Sequence, residues 1–220
     1  MPRPKSTGLP AEEEESRRVD ALLDVAAEVF FEDGFHGAST TKIAQRAHAS
    51  KQSFYSRFPS KEKLFLAVIQ RRMESGAETF GSFISEDAPI REVLLSMGKY
   101  FLDRLIDERH VALVRIVYME ATRFPEIAKA FMSSGPEQAV GRLEKYLARQ
   151  TAEKRLAIED TQMAAHDFVA LISADLVQRA LLGLPQRLTK AGLEKRAARG
   201  VDSFLKLYGL PTESAKGRSQ

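Results

Sequence analysis

The chain contains no cysteine in 220 residues, which excludes disulfides, thiol catalysis and cysteine-ligated metal sites. Long apolar runs are missing too. Charges interrupt each one well short of the roughly 20 residues needed to cross a bilayer. Glu12 to Glu15 stand where a signal peptide would need its apolar stretch. The chain has no Gly-rich phosphate loop, no His-Glu-x-x-His and no Gly-x-Ser-x-Gly, and its four histidines, at positions 36, 48, 110 and 166, are scattered. Catalytic residues, cofactors and metals are therefore not expected. A metal site built from His166-Asp167 and Asp107-Glu108-Arg109-His110 would need a spatial meeting that nothing in the sequence indicates. Surface or capping roles are the expectation for these histidines. No stretch alternates with the period of a strand, and no repeat of solenoid length is present. These absences lead us to expect a cytoplasmic, all-α, non-enzymatic protein.

What is present centres on Ser39 to Lys63. Ser39 can cap a two-turn helix that buries Ile43, Ala44 and Ala47. Ser50 can cap a second that buries Phe54 and Phe58. Ala47-His48-Ala49-Ser50 between them is the short turn of a helix-turn-helix, whose second helix enters the DNA major groove by its N-terminal end. Its outward residues are Lys51, Gln52, Ser53, Tyr55, Ser56 and Arg57, all hydrogen-bonding types suited to base edges and phosphates. Between Gly34 and Arg72 eight bases face a single acid, Glu62, and the remainder of the chain is left net negative. A basic head on a mildly acidic body is the expectation, with a polyanion partner at one end.

Ala44, Ala47, Ser50-Lys51, Phe54-Tyr55, Phe58-Pro59-Ser60-Lys61-Glu62 and Leu64, preceded by Ala26, Phe30, Gly34-Phe35 and Thr40, resemble the N-terminal signature of the TetR/AcrR family of bacterial regulators. The resemblance implies a three-helix DNA-binding head joined to an all-α body that binds a ligand and dimerises. It departs at His48, where the family has glycine in the turn. If that position needs a positive φ, histidine is tolerated there less well than glycine. On this reading Lys51, Gln52, Tyr55 and Arg57 make much of the DNA contact. Ser50 and Ser53 stand beside them, and Thr40, Thr41 and Lys61 anchor the backbone on either side. Lys51, Gln52 and Arg57 suit bases, whereas Tyr55 and Lys61 suit phosphate.

In chain order, residues 1–15 read as a disordered tail whose Arg3 and Lys5 could touch DNA, residues 16–62 as the DNA-binding head, residues 63–210 as the body and residues 211–220 as a frayed end. A first helix is predicted from Ser16 to Asp33, stopped by Gly34. Ser60 caps a long helix to about Phe80, which by the resemblance tilts when ligand binds. Further helices are predicted from Pro89, over Glu108 to Arg123, Glu126 to Met132 and Pro136 to Lys154. Asp160 caps one from Thr161 to Leu182, closed by Gly183 and Pro185, and Thr189 caps the last. Arg123-Phe124-Pro125-Glu126 and Gly135-Pro136 also resemble the AefR-like bodies of that family.

For the body, Phe83, Met97, Tyr100, Phe101, Tyr118, Met119, Phe131 and Phe168 are candidate wall residues for a small hydrophobic effector, against a reading of each as plain core. The homodimer is assigned to Thr161–Leu182 and Thr189–Leu207, the family's final helix pair, with Phe168, Leu171, Ile172, Asp175, Leu176 and Arg179 forming the broad face. The function expected is a regulator, most simply a repressor that leaves double-stranded operator DNA when its effector binds. The competing readings are an all-α protein-interaction module, or an activator without an inducer.

Overall fold

In the computed structural model residues 10–85, 87–184 and 189–210 are described. The expectations for Arg3, Lys5, Pro185 and residues 211–220 fall outside them. Eleven helices occur among the described residues: α1 (Ala11–Gly37), α2 (Thr40–Arg46), α3 (Lys51–Arg57), α4 (Lys61–Ser82), α5 (Ile90–Ile106), α6 (Glu108–Glu120), α7 (Pro125–Ser134), α8 (Pro136–Ala152), α9 (Thr161–Ser173), α10 (Leu176–Leu181) and α11 (Lys190–Tyr208). The chain divides into two compact units, Met1–Ile69 and Gln70–Gln220. The boundary lies inside α4, several residues later than the predicted start of the body.

The five side-chain caps read from the sequence are each realised as a hydrogen bond. Ser39 Oγ accepts from Lys42 N, Ser50 Oγ from Ser53 N, Ser60 Oγ from Lys63 N, Asp160 Oδ1 from Met163 N and Thr189 Oγ1 from Gly192 N. These side chains satisfy backbone donors that a helix leaves open at its first turn. Gly34 stops the regular part of α1 at φ 67°, a left-handed value that costs glycine little. The beginning of α1 is corrected: it starts at Ala11, so residues 11–15 are helical rather than tail. Glu12, Glu13 and Glu14 form its first turn, where negative charge suits the helix dipole.

Within the first unit, α1 lays Leu22, Leu23, Ala26, Val29 and Phe30 over the two short helices, neither of which is long enough to be stable alone. An aromatic cluster closes the core: the Phe30 and Phe65 rings meet edge to face at 4.8 Å, and Phe35 and Phe65 at 5.3 Å. Phe54 and Phe58 are buried. The turn after α2 has the hydrogen bond from Ala49 N to Ala44 O that ends a helix through a left-handed residue. That residue is His48, at φ 50°.

In the second unit α5, α8, α9 and α11 share a core of Leu94, Met97, Leu102, Leu143, Leu147, Phe168, Ile172, Val201 and Phe204. Gly98 on α5 and Gly200 on α11 both lie against Ile172, and a Cβ at Gly200 would sit 2.5 Å from Ile172 Cδ1. That close approach brings α11 onto α9. One predicted helix is corrected here: Thr161–Leu182 is two helices, broken at Ala174, which has φ 39° and ψ −122°. Arg196 gathers the freed carbonyls, donating to Ile172 O and Ser173 O at 3.0 Å each. Of the broad face expected to cover its own body on one side and meet a partner on the other, Phe168, Ile172 and Leu176 are buried and serve the inner side.

Candidate nucleic-acid interface and body cavity

Two turns of α3 present Lys51, Gln52, Ser53, Tyr55, Ser56 and Arg57 outward, and bury Phe54 beneath them. The apolar spacing leaves no other choice, since a helix this short has one face to give to the core. Tyr55 remains 44 % exposed, and its hydroxyl lies 3.1 Å from Thr40 Oγ1. Thr40 first and Thr41 second hold the phenol below its ordinary pKa by hydrogen bonding. α2 and α3 are thereby tied together through a cluster of three hydroxyls. Ser50 is occupied as the cap of α3 and stays exposed.

Two of the predicted DNA contacts have partners inside the unit. Lys61 Nζ donates to the carbonyls of His36 at 3.1 Å and Ala38 at 3.2 Å, and it lies over the Phe35 ring at 5.0 Å. An ammonium there satisfies open carbonyls at the end of α1, so Lys61 fastens the turn after α1. Arg57 is hydrogen-bonded to Glu15 at the beginning of α1. Lys51, by contrast, has no carboxylate within ion-pairing distance among the described residues.

The electrostatic expectation is corrected by the same contacts. Arg46 donates to both carboxylate oxygens of Glu32, at 2.9 and 2.8 Å, and Lys42 lies 2.5 Å from Asp33. Arg46 holds the Glu32 carboxyl below its usual range, and Asp33 holds the Lys42 ammonium above its own. Over Met1 to Ile69 the chain has ten bases and ten acids. The head is therefore net neutral, with acids concentrated on α1 and the uncompensated bases at α3 and the start of α4. The window from Gly34 to Arg72 had excluded the acids that pair with three of its bases.

The second unit contains a cavity of about 390 Å³ between α4, α5, α6, α7, α8, α9 and α10. Tyr100, Phe101, Tyr118 and Phe131 line it. The other four candidates do not. Met97 and Phe168 are core, Phe168 packing edge to face on Phe204 at 5.6 Å. Phe83 leans on Tyr100 at 5.6 Å from outside the wall, and Met119 is 67 % exposed. Met73, Phe80, Leu105, Val111, Val140 and Leu181 complete much of the apolar wall.

Sequence reasoning missed three polar wall residues, Arg72, Arg104 and His110. Their positions, one each on α4, α5 and α6, have no common spacing that could signal a meeting. His110 in particular is neither a surface nor a capping histidine: Asp107 caps α6 by accepting from His110 N at 2.6 Å, while the imidazole turns into the wall. Burial first, and the charge of Arg104 second, push its pKa down to about 4. The ring is neutral at physiological pH. Of the remaining histidines, His36, His48 and His166 are exposed.

Residues 92–210 match the family described as "AefR-like transcriptional repressor, C-terminal domain", and residues 22–68 match "Bacterial regulatory proteins, tetR family". A crystal structure of a putative TetR-family transcriptional regulator from Mesorhizobium loti MAFF303099 is 26% identical, covers 89% of this chain and 98% of its own, and superposes with a TM-score of 0.84. The flavonoid-responsive regulator FrrA is 32% identical over 90% of this chain and 100% of its own, with a TM-score of 0.71. The transcriptional activator FasR of Mycolicibacterium smegmatis is 46% identical over 54 residues, 24% of this chain. That match spans only 25% of FasR and concerns the relative's name as an activator no further than this stretch.

Proposed function

Because the chain belongs to the TetR family of bacterial transcriptional regulators, we propose that it is a cytoplasmic homodimeric repressor that leaves operator DNA when a small, mainly hydrophobic molecule occupies the body cavity. The observation that supports this most is the coexistence, in one chain, of a polar row on α3 and a walled apolar cavity in a separate unit. Lys51 and Gln52, at the N-terminal end of α3, are assigned to base edges. Tyr55, with Thr40 and Thr41 beside it, is assigned to the DNA backbone, where clustered hydroxyls suit phosphate oxygens. Ser50 and Ser53 flank that row, and Arg57 reaches DNA once Glu15 releases it. Lys61 holds the turn after α1 and contacts phosphate only secondarily.

Transmission falls to α4. Its first half buries Leu64, Phe65, Val68 and Ile69, and its second half supplies Arg72, Met73, Gly76, Ala77 and Phe80 to the cavity wall. A ligand that displaces the second half moves a helix whose first half belongs to the head. The differential affinity of the ligand for the two arrangements sets how far operator binding can fall.

One two-turn helix reads too few bases to select a site in a genome, so two heads are needed, with half-sites about 34–36 Å apart. The body is assigned the dimer contact through α9 and α11. Their outward residues include Met163, His166 and Ala170 on α9 and Leu207 on α11. Ala170→Arg should give a folded monomer in sedimentation, and a variant that stays dimeric places the interface elsewhere. A reporter fused to the chain's own upstream region tests the sign of regulation. Deleting the protein should raise expression, and a fall would make it an activator, as the name of FasR states of that relative.

A further inference from the structure

Arginines of the body are mostly consumed by internal work. Arg115 caps the end of α10 by donating to Leu181 O at 3.0 Å and Ala180 O at 2.6 Å. Arg196 caps α9, and Arg91 pairs with Asp202 at 3.0 Å. Arg72 and Arg104 differ. Both line the cavity, and among the described residues neither has a carboxylate within ion-pairing distance. Among the described residues no Asp or Glu lines the wall. Arg104 meets a base instead: its Nη2 lies 2.5 Å from His110 Nδ1. A guanidinium can only donate, so the imidazole accepts at Nδ1 and holds its proton on Nε2. Three groups from three helices thus offer N–H donors, two of them cationic, at the edge of an otherwise apolar space.

Two guanidiniums against an apolar wall, without a carboxylate partner among the described residues, leave charge that a ligand of opposite sign would compensate. A planar carboxylate matches the fork of a guanidinium in two parallel hydrogen bonds. The neutral imidazole adds a donor without adding charge, which suits a singly charged head better than a dianion. We propose that Arg72, Arg104 and His110 form the head-group site for an amphipathic carboxylate whose apolar body lies along Phe101, Tyr118 and Phe131. This assignment rests on the reading of the cavity as the effector site, and it specifies the chemistry of that effector.

The test uses calorimetric titration of the intact chain with two matched series: decanoic acid, decanamide, decylamine and decyl phosphate; and naphthoic acid with its amide. At least one acid should bind saturably and about tenfold or more tighter than its own amide, the ratio expected from one charge-assisted pair. Arg104→Met and Arg72→Met, checked for folding by circular dichroism, should each reduce that ratio, because the acid loses a charge-assisted pair where the amide loses only a neutral-acceptor hydrogen bond. Absence of saturable binding by either acid overturns the proposal. So does equal or tighter binding of amide, amine or phosphate, or an acid preference that survives both variants. Displacement of DNA is measured separately. Acid-selective binding that fails to release DNA leaves the head-group site standing and removes the effector reading instead.

Discussion

The two units solve opposite problems with the same element. In the head, α2 and α3 have two turns each, Phe30, Phe54 and Phe65 fill the core among the described residues, and the outward residues of α3 stay exposed. In the body, helices of 13 to 19 residues such as α5, α9 and α11 enclose a cavity as well as a core. A small unit must spend its apolar residues on stability, and a larger one can leave a wall unfilled. On the function proposed above, the head has its recognition groups on the outside and the body on the inside. The comparison also has an electrostatic side. On the head, bases at Lys42, Arg46 and Arg57 are paired with acids of α1, while in the body Arg72 and Arg104 are left facing an apolar space.

If the two cores are independent, breaking one should spare the other. Phe30→Ala removes a fully buried ring that meets Phe65 at 4.8 Å, at a cost of about 3–5 kcal/mol. Hydrogen exchange should show α1 to α3 losing protection while α9 and α11 keep theirs. Equal loss in both would mean a single cooperative unit.

The second effect concerns the body alone. An unfolded His110 takes up its proton near 6.5, whereas the folded one does so only near 4. Between those values the unfolded chain holds the extra proton, so stability is full above about pH 6.5 and falls as pH drops toward 4. The loss amounts to about 3 kcal/mol at most. Urea denaturation at pH 7 and pH 4.5 should show a smaller difference for His110→Gln than for the natural chain. The same slope in both would remove His110 from the account.

Gly200→Val probes the close approach of α11 to α9, where even a Cβ would lie 2.5 Å from Ile172 Cδ1 and 3.3 Å from Leu171 O. Overpacking there should cost about 1–3 kcal/mol, read as a lowered thermal midpoint. An unchanged midpoint would show that the helices can part freely. The smallest effect is expected in the head turn. His48 at φ 50° bears the left-handed penalty that glycine lacks, offset in part by the greater freedom of an unfolded glycine. His48→Gly should therefore stabilise by at most about 1 kcal/mol, and a destabilised variant would show that the imidazole makes a compensating contact.

Head and body also differed in how much could be read in advance. Local chemistry specified the head: caps at Ser39 and Ser50, the left-handed stop at Gly34 and the burial of Phe54 and Phe58 all follow from residues within a few positions of one another. The break at Ala174 did not, because Phe168, Leu171, Ile172 and Leu176 keep helical spacing straight through it. Arg196, reaching from α11, takes the carbonyls of Ile172 and Ser173 beside that break, and a contact between distant helices leaves no local pattern. The cavity follows the same rule. Its aromatic residues were recognisable by type, but Met97 and Phe168 belong to the core, and Arg72, Arg104 and His110 meet only through the packing of α4, α5 and α6. The charge of the head is hidden for a related reason, since the acids of α1 precede the basic stretch in sequence but lie against its bases.

The central claim is that α3 reads DNA with Lys51 and Gln52. Fluorescence anisotropy of the intact chain on a duplex from its own upstream region, and on a shuffled duplex of equal length, tests it across a series of salt concentrations. The natural chain should prefer its own region and weaken steeply with salt. Gln52→Ala should cost about 1–3 kcal/mol on that region and little on the shuffled duplex, whereas Lys51→Ala should lose affinity on the specific site and flatten the salt slope. Affinity that is equal for both duplexes, insensitive to salt and unchanged in both variants would contradict the assignment.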